Sequence, residues 1–332
     1  MKRILCAALI AACLLTACGG KRETPYSYVD YSFFDTVTTI LGYGESPKEF
    51  EMQVQKICGE LQYYHQLFDI YHEYEGLNNL KTINDQAGIR PVPVDQPVLD
   101  LLQDCADYWI ISDRKVNAAM GSVLSLWHEA RELALKNPGQ AEIPSTDDRV
   151  RAAKHCDFSN VVLDLEKKTV FLKDPEMRLD VGAVAKGWAA QQVSQSAPGG
   201  MLISIGGNVC ATGPKPDGSP WTVGIQNPDG EGYLRTVRLT KGSIVTSGDY
   251  QRFFEVEGKR YHHIIDPAST RPGEYWQSVT VYCQDSGLSD ALSTALFLHT
   301  RENGQKLLDA VGAEAMWVDP EGTVFLSPGF PE

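Results

Sequence analysis

Positive charge is scarce in this chain. Its 332 residues hold 30 Lys and Arg against 43 Asp and Glu, a formal net charge of −13. Such a balance offers no basic face to nucleic acid. An anionic substrate would need a local exception, a metal ion or a helix N-terminus. Neither phosphate-cradling loop, GxxxxGK(S/T) or GxGxxG, occurs, which excludes the common nucleotide-binding frames. No CxxC pair is present to hold zinc or to cycle as a disulfide. Internal repeats and long low-complexity tracts are missing too. What remains is a folded chain, 43% hydrophobic, long enough for one large or two ordinary domains.

The first stretch stands apart. "MKRILCAALIAACLLTAC" opens on Lys2 and Arg3 and continues in an apolar run too short for a stable span. It ends in Leu15-Thr16-Ala17-Cys18, which resembles the lipobox of bacterial lipoproteins, where the cysteine is lipidated and becomes the first mature residue. The expectation is a signal peptide over 1–17, a tether over 18–28 with lipid on Cys18, and one folded unit over 29–332. The plain alternative is a signal peptide cut at Ala-x-Ala. A lipid anchor would hold the protein to the extracytoplasmic face of a bacterial membrane. With Cys6 and Cys13 in the signal, Cys58, Cys105, Cys156, Cys210 and Cys283 remain. They are scattered and odd in number, so they read as buried free thiols.

"YSFFDTVTTILGYG" reads as a strand with a glycine turn, and "SPKEFEMQVQKICGELQYYHQLFD" as a helix opened by Ser-Pro. Residues 95–111 and 119–136 predict two further helices, and "NPGQAEIPSTDDRV" an excursion. From residue 160 strands dominate. "VVLDLEKKTVFLK" is a hairpin turning at Glu166, Lys167 and Lys168. In "GMLISIGGNVCATG", Gly206-Gly207 breaks a strand of central character, as a bulge or a close backbone approach does. Strands "WTVGIQNP", "LRTVRLTKGSIVTSG", "RFFEVEGKRYHHIIDP" and "SVTVYC" follow. The helix "GLSDALSTALFLH" precedes a short helix and a terminal hairpin. Helices early and consecutive strands late predict an α+β fold, a mainly antiparallel sheet flanked by helices.

Three stretches carry candidate chemistry. In "RLDVGAVAKGWAAQQV", Asp180 precedes a helix as a cap suited to the positive end of its dipole. Gly182 and Gly187 permit close approach, and Lys186 follows about one and a half turns on. One reading is an anion site of helix N–H groups and Lys186. The plainer one is a capped helix packing its small face on a sheet. In "SGLSDALSTALFLH", Asp290, Ser293 and Thr294 share a helix face and offer the hard oxygen donors that suit Mg²⁺. A packed face of small residues is the bland alternative, but it leaves Asp290 in an apolar segment without a partner. In "SIVTSGDYQRFFEVEGKRYHHIIDP", His262 and His263 point to opposite faces, so at most one serves a given site.

Taken in order, "LDVGAVAKGWAAQQV", "ISIGGNV", "TSGDYQRFF", "HHIIDP" and "SDALSTALF" resemble the signature segments of the ApbE family, the FAD:protein FMN transferases. "FFDTVTTI" and "FDIYHEYEGLNNLKTIND" are similar to the family's N-terminal FAD-contacting segments, so the resemblance spans nearly the whole mature chain. It implies an ApbE-like fold, FAD as substrate and Mg²⁺ as cofactor. Phe34, Tyr71, Lys115, Val116 and Asn117 fall where that family lines the flavin pocket. Asp180 and Lys186 correspond to FAD contacts, Ser247 and Gly248 lie beside the cofactor, and His263 aligns near the pyrophosphate. The resemblance implies metal ligation by the Ala183 carbonyl and by Asp290 and Thr294, with Ser293 adjacent.

The implied reaction moves FMN from FAD to a threonine hydroxyl of an acceptor flavoprotein, such as a subunit of an exported or membrane redox complex, and releases AMP. A carboxylate such as Asp180, or His263, would serve as general base. Rival readings are a Mg²⁺-dependent pyrophosphatase giving FMN and AMP, a non-catalytic FAD-binding lipoprotein, and a solute-binding lipoprotein. Two departures from the family pattern stand out. Asn117, in "RKVNAA", replaces the acid of a Gly-Ala-Phe-Asp-like run; a backbone contact would survive that change, a side-chain role would not. Ser269-Thr270-Arg271-Pro272 replaces Thr-Gly-x-Pro. A turn of positive φ disfavours Thr270, which predicts a different loop shape there.

Overall fold

Eight strands build the large sheet, and their spatial order is their order in the chain. They are β1 (Tyr26–Asp30), β2 (Thr38–Gly42), β3 (Met201–Ile205), β4 (Asn208–Ala211), β5 (Gly242–Gly248), β6 (Ser278–Cys283), β7 (Glu314–Val318) and β8 (Val324–Leu326). Every neighbouring pair is antiparallel, as the sequence predicts. The sheet is a meander whose connections have grown into insertions. Between β2 and β3 lie α1 (Pro47–Phe68), α2 (Leu80–Asp85), α3 (Gln96–Ile111), α4 (Gly121–Lys136), α5 (Thr146–Ala153) and α6 (Ala185–Ser196); α7 (Ser286–Phe297) and α8 (Arg301–Val311) join β6 to β7. This computed structural model describes residues 24–331. The signal sequence, Cys18 and the start of the tether lie outside the described residues.

Local chemistry accounts for these elements. Ser46 accepts the Glu49 N–H at 3.2 Å and Pro47 opens α1, a cap and a first-turn proline in their favoured places. Phe50, Val54, Ile57 and Leu61 then line one buried face at helical spacing. That face and Ala189, Ala190 and Val193 of α6 cover Ile40, Ile203 and Ile205 of the sheet. Each such aliphatic side chain contributes about 1.5–3 kcal/mol on burial. The strands alternate, so Leu202, Ala211, Ile244 and Met316 face the other way. They meet Trp221, Val223, Ile225, Val237 and Leu239 of a two-stranded ribbon, Trp221–Gln226 with Tyr233–Leu239. Helices thus cover one face of the sheet and a β-ribbon the other.

One expectation is corrected. Gly206-Gly207 does not interrupt a single strand; it is the two-residue turn of the β3–β4 hairpin, with Ile205 opposite Asn208. Both glycines have positive φ, 60° and 93°, the conformation that tight hairpin turns demand. A close approach is present as well, because a Cβ on Gly206 would lie 2.7 Å from Thr36 Oγ1.

A smaller hairpin, Phe253–Val256 with Lys259–His262, stacks Phe254 and Tyr261 on Trp127 of α4. This docks the chain after it, His263 onward, against the helical insertion. The five described cysteines are free thiols, and among the described residues no helix is long and apolar enough to cross a membrane.

Candidate active site

The approach to α6 is held by backbone contacts from far away in sequence. Asn84 of α2, buried, donates to the Leu179 carbonyl at 3.0 Å and accepts the Leu179 N–H at 2.7 Å. The next N–H, of Asp180, donates to the Ala118 carbonyl at 2.8 Å. Asp180 is therefore fixed before its side chain does anything. That side chain accepts the Gly182 N–H at 2.8 Å, closing a local turn, and this corrects the expectation of a helix cap. A separate turn over 181–185 intervenes, and α6 begins only at Ala185.

The free N-terminal donor of α6 goes instead to another helix. Gly187 N–H donates to Asp290 Oδ2 at 2.8 Å. A Cβ on Gly187 would sit 2.3 Å from Asp290 Cβ and 2.4 Å from the Ser286 carbonyl, so α6 and α7 can cross this closely only through glycine. Asp290 is 4% exposed, and burial pushes its carboxyl above the usual range, opposed by Lys186 and the Gly187 N–H. Asp180 is raised by burial in the same way. No Lys or Arg forms an ion pair with either carboxylate among the described residues. Because the Gly187 N–H points to Asp290, the Ala183 carbonyl stays outside the α6 ladder. It lies at the same helix start as Lys186, whose ammonium among the described residues reaches only the Gly182 carbonyl, at 3.4 Å.

Strand β5 runs beneath α7. Alternate residues Ser243 and Ser247 face the helix and meet Ser289 Oγ (2.7 Å) and Ser293 Oγ (2.8 Å). Ser293, fully buried, also donates to the Asp290 carbonyl at 2.9 Å, so its hydroxyl ties β5 to α7. Thr294 is the half-buried hydroxyl, 3.5 Å from Ser247 Oγ. Gly248 ends the strand, with space that a Cβ would contest with the Tyr250 ring at 2.4 Å.

The opposite side comes from the helical insertion and the small hairpin. His262 is buried; it accepts the Ile264 N–H on Nδ1 and donates from Nε2 to the Gly273 carbonyl at 2.8 Å. His263 faces the other way, as strand alternation requires. Its Nδ1 contacts the Arg252 carbonyl at 3.3 Å; a carbonyl only accepts, so Nδ1 carries the proton and Nε2 is left as acceptor. The ring keeps solvent contact while protein flanks it, as at the wall of a cleft. Burial first, then the charges of Arg252 and Lys186, bring its pKa down to about 3. Tyr71 is half exposed and its ring lies 5.5 Å from that of His128; burial and the charge of Asp180 push its phenol up to about 12. Asp69 shapes the Tyr71 loop by accepting the Tyr71 N–H at 2.6 Å and the Tyr74 hydroxyl at 2.8 Å. Phe34, at φ 53°, donates its N–H to His65 Nδ1 at 3.2 Å.

The 115–117 segment divides. Lys115 pairs with Asp266 at 2.8 Å, both mostly buried. Val116 packs into the core. Asn117 donates to the Cys156 carbonyl (2.8 Å) and accepts the Ala119 N–H (2.9 Å), so its side chain is committed to backbone. Arg252, His128, Asn84 and Asp69 are the participants that sequence reasoning missed. Asp69, Asn84 and Arg252 lie inside the family-like stretches "FDIYHEYEGLNNLKTIND" and "TSGDYQRFF", and Asn84 is also a polar residue within the short apolar pattern of α2; His128 carried no signal. Thr270, too, departs from expectation: it does adopt positive φ, 57°.

Among the described residues no three His, Cys, Asp or Glu side chains cluster as a metal cage. One carboxylate with neutral oxygens around it suits a hard cation that shares its coordination with substrate phosphates. The whole arrangement fits an anionic, phosphate-bearing ligand. The ApbE family pattern matches residues 34–317, and the chain belongs to the ApbE family. It is 31% identical over 340 residues to a protein of Treponema pallidum (strain Nichols) named FAD:protein FMN transferase, covering 96% of this chain and 91% of that one. A Klebsiella pneumoniae (strain 342) protein of the same name is 33% identical over 276 residues, covering 79% and 83%. The crystal structure of the ApbE protein of Thermotoga maritima superposes with a TM-score of 0.81 at 28% identity, over 92% of this chain and 98% of that one.

Proposed function

We propose that this chain transfers the FMN half of FAD to a threonine hydroxyl of an acceptor flavoprotein, with Mg²⁺ as cofactor. The observation that carries the reading is the α6–α7 crossing. There Asp290, buried and without an ion pair among the described residues, takes the Gly187 N–H, one turn after Ala183, and shares an α7 face with Thr294. Asp290, Thr294 and the Ala183 carbonyl supply the oxygens that would hold Mg²⁺, which when bound neutralises charge on the pyrophosphate. Lys186 and Arg252 add positive charge to the cleft of an otherwise acidic protein. Tyr71, Phe34 and the backbone of 115–117 line the flavin side.

The acceptor hydroxyl oxygen attacks the FMN-side phosphorus, the bridging P–O bond breaks, and AMP leaves. His263 Nε2, the nitrogen its hydrogen bond leaves unprotonated, or the Asp180 carboxylate, which burial makes more basic, accepts the hydroxyl proton. Asp180 holds the turn that presents Lys186. The lipobox-like start supports a lipid anchor on Cys18 and acceptors on the extracytoplasmic side, including subunits of membrane redox complexes.

The test incubates the full-length protein, in detergent, with FAD, Mg²⁺ and an acceptor carrying an exposed threonine motif, and reads the acceptor's intact mass. A gain of one FMN residue that disappears on chelation supports the proposal. AMP and free FMN without a gain would replace it with a pyrophosphatase, and neither product would replace it with a binding protein.

A further inference from the structure

The excursion between α4 and α5 leads to a buried arginine that the reaction does not use. Arg149 is 4% exposed and has no carboxylate partner among the described residues. Its Nε donates to the Pro144 carbonyl (3.1 Å) and Nη2 to Thr146 Oγ1 (3.0 Å). Nη1 reaches across to Thr270 Oγ1 (3.0 Å) and the Ser269 carbonyl (3.4 Å), 121 residues away for Thr270. Burying a guanidinium without a counter-charge is unfavourable, so so many neutral acceptors around it call for a reason.

Thr270 supplies one. A β-branched residue in the left-handed region is a genuine conformational outlier, and such strain persists only when surrounding contacts over-determine it. Here they do: besides Arg149, Trp127 Nε1 donates to the Thr270 carbonyl at 3.0 Å, and the Thr270 N–H donates to the Asp266 carbonyl at 2.7 Å. The turn that results carries Asp266, whose carboxylate accepts Lys115 Nζ at 2.8 Å and the Ala268 N–H at 3.0 Å. His263 lies three residues before Asp266.

We propose that Arg149 is a positioning residue: it clamps Thr270 in the left-handed conformation and, through the 266–270 turn, sets His263 and Lys115 in the cleft. Hydrogen bonds from a buried side chain thereby replace the freedom that a glycine has by lacking a Cβ. The functional part of the inference rests on the reading of the cleft as an FAD site.

The test compares the full-length protein with Arg149→Met, Thr270→Gly and the double variant. It reads hydrogen exchange over 263–272 and FAD affinity by titration. Arg149→Met is expected to speed exchange there, and to weaken FAD binding, by about tenfold, the scale of lost hydrogen bonds to a charged group. Thr270→Gly in that background is expected to return both to within about threefold of the parent, since glycine adopts positive φ unaided. Unchanged exchange in Arg149→Met, or no recovery in the double variant, overturns the clamp. If Arg149→Met does not fold, a folded double variant supports the clamp and an unfolded one overturns it. The expected exchange pattern in a parent that binds no FAD would uphold the clamp and sink the FAD reading.

Discussion

Where α6 crosses α7, one wall of the cleft is made by withholding bulk. Gly187 leaves room for Asp290, and small hydroxyls from Ser243, Ser247, Ser289 and Ser293 lock β5 to α7. Across the cleft the 263–272 loop keeps its shape against strain, with Thr270 at φ 57° held by Arg149 and Trp127. Close packing of backbone and short side chains has no slack, so an added atom displaces the carboxylate itself. A loop held by several hydrogen bonds yields by degrees, and one change can offset another. The first wall should therefore fail abruptly and the second in graded, compensable steps.

The largest effect is expected at the first wall. Asp290→Ala should lower metal-dependent turnover by at least about a thousandfold, since a cation's stabilisation of charge is worth several kcal/mol. The fold should survive, as checked by circular dichroism. Ordinary activity in that variant at ordinary Mg²⁺ would remove Asp290 from the site. Gly187→Ala comes next. Alanine favours an open helix over glycine by roughly 1 kcal/mol, but here its Cβ would lie 2.3 Å from Asp290 Cβ. Overpacking of this kind costs about 1–3 kcal/mol; urea unfolding should show a net loss of stability together with lost turnover. A stabilised, active Gly187→Ala would mean that the crossing has slack after all.

Away from the α6–α7 contact itself, smaller changes are expected. Lys186→Ala should weaken FAD binding by about tenfold, the scale of one partly exposed charge-assisted contact; an unchanged titration would make Lys186 a surface residue. Asn117→Ala should lower stability by about 1 kcal/mol through its two backbone contacts and leave FAD affinity within about twofold. A large loss of affinity with stability intact would give the side chain a direct role. The smallest effect concerns pH. His263 has a folded pKa near 3 against an ordinary 6.5, so the unfolded chain binds more protons between those values. Its contribution to stability is complete above pH 6.5 and is lost as pH falls toward 3. His263→Gln should flatten that slope by less than one proton, because the ring keeps solvent contact; a steeper slope would refute the assignment.

Much of this was legible from adjacent residues. Ser46-Pro47 and the Phe50, Val54, Ile57, Leu61 stripe announce α1, because caps and helical periodicity act over a few residues. The alternation around His262 and His263 already required that only one of them serve the cleft. Asp180 closes a local turn instead of capping α6, because the turn over 181–185 before the helix leaves no trace in composition. At Gly206-Gly207 a hairpin turn and a bulge both ask for glycine, and only the pairing of Ile205 with Asn208 separates them.

By itself the sequence determined the elements and their antiparallel class, and it offered the donors from which the proposed phosphate and cation site is drawn, since capping, periodicity and donor chemistry are local. Only the tertiary structure decided which partner each takes. Asp290 receives an N–H 103 residues away, Lys115 meets Asp266 across 151 residues, and Thr270 enters a conformation its own side chain opposes. In each case the deciding energy comes from groups brought together by packing, and no window of neighbouring residues contains them.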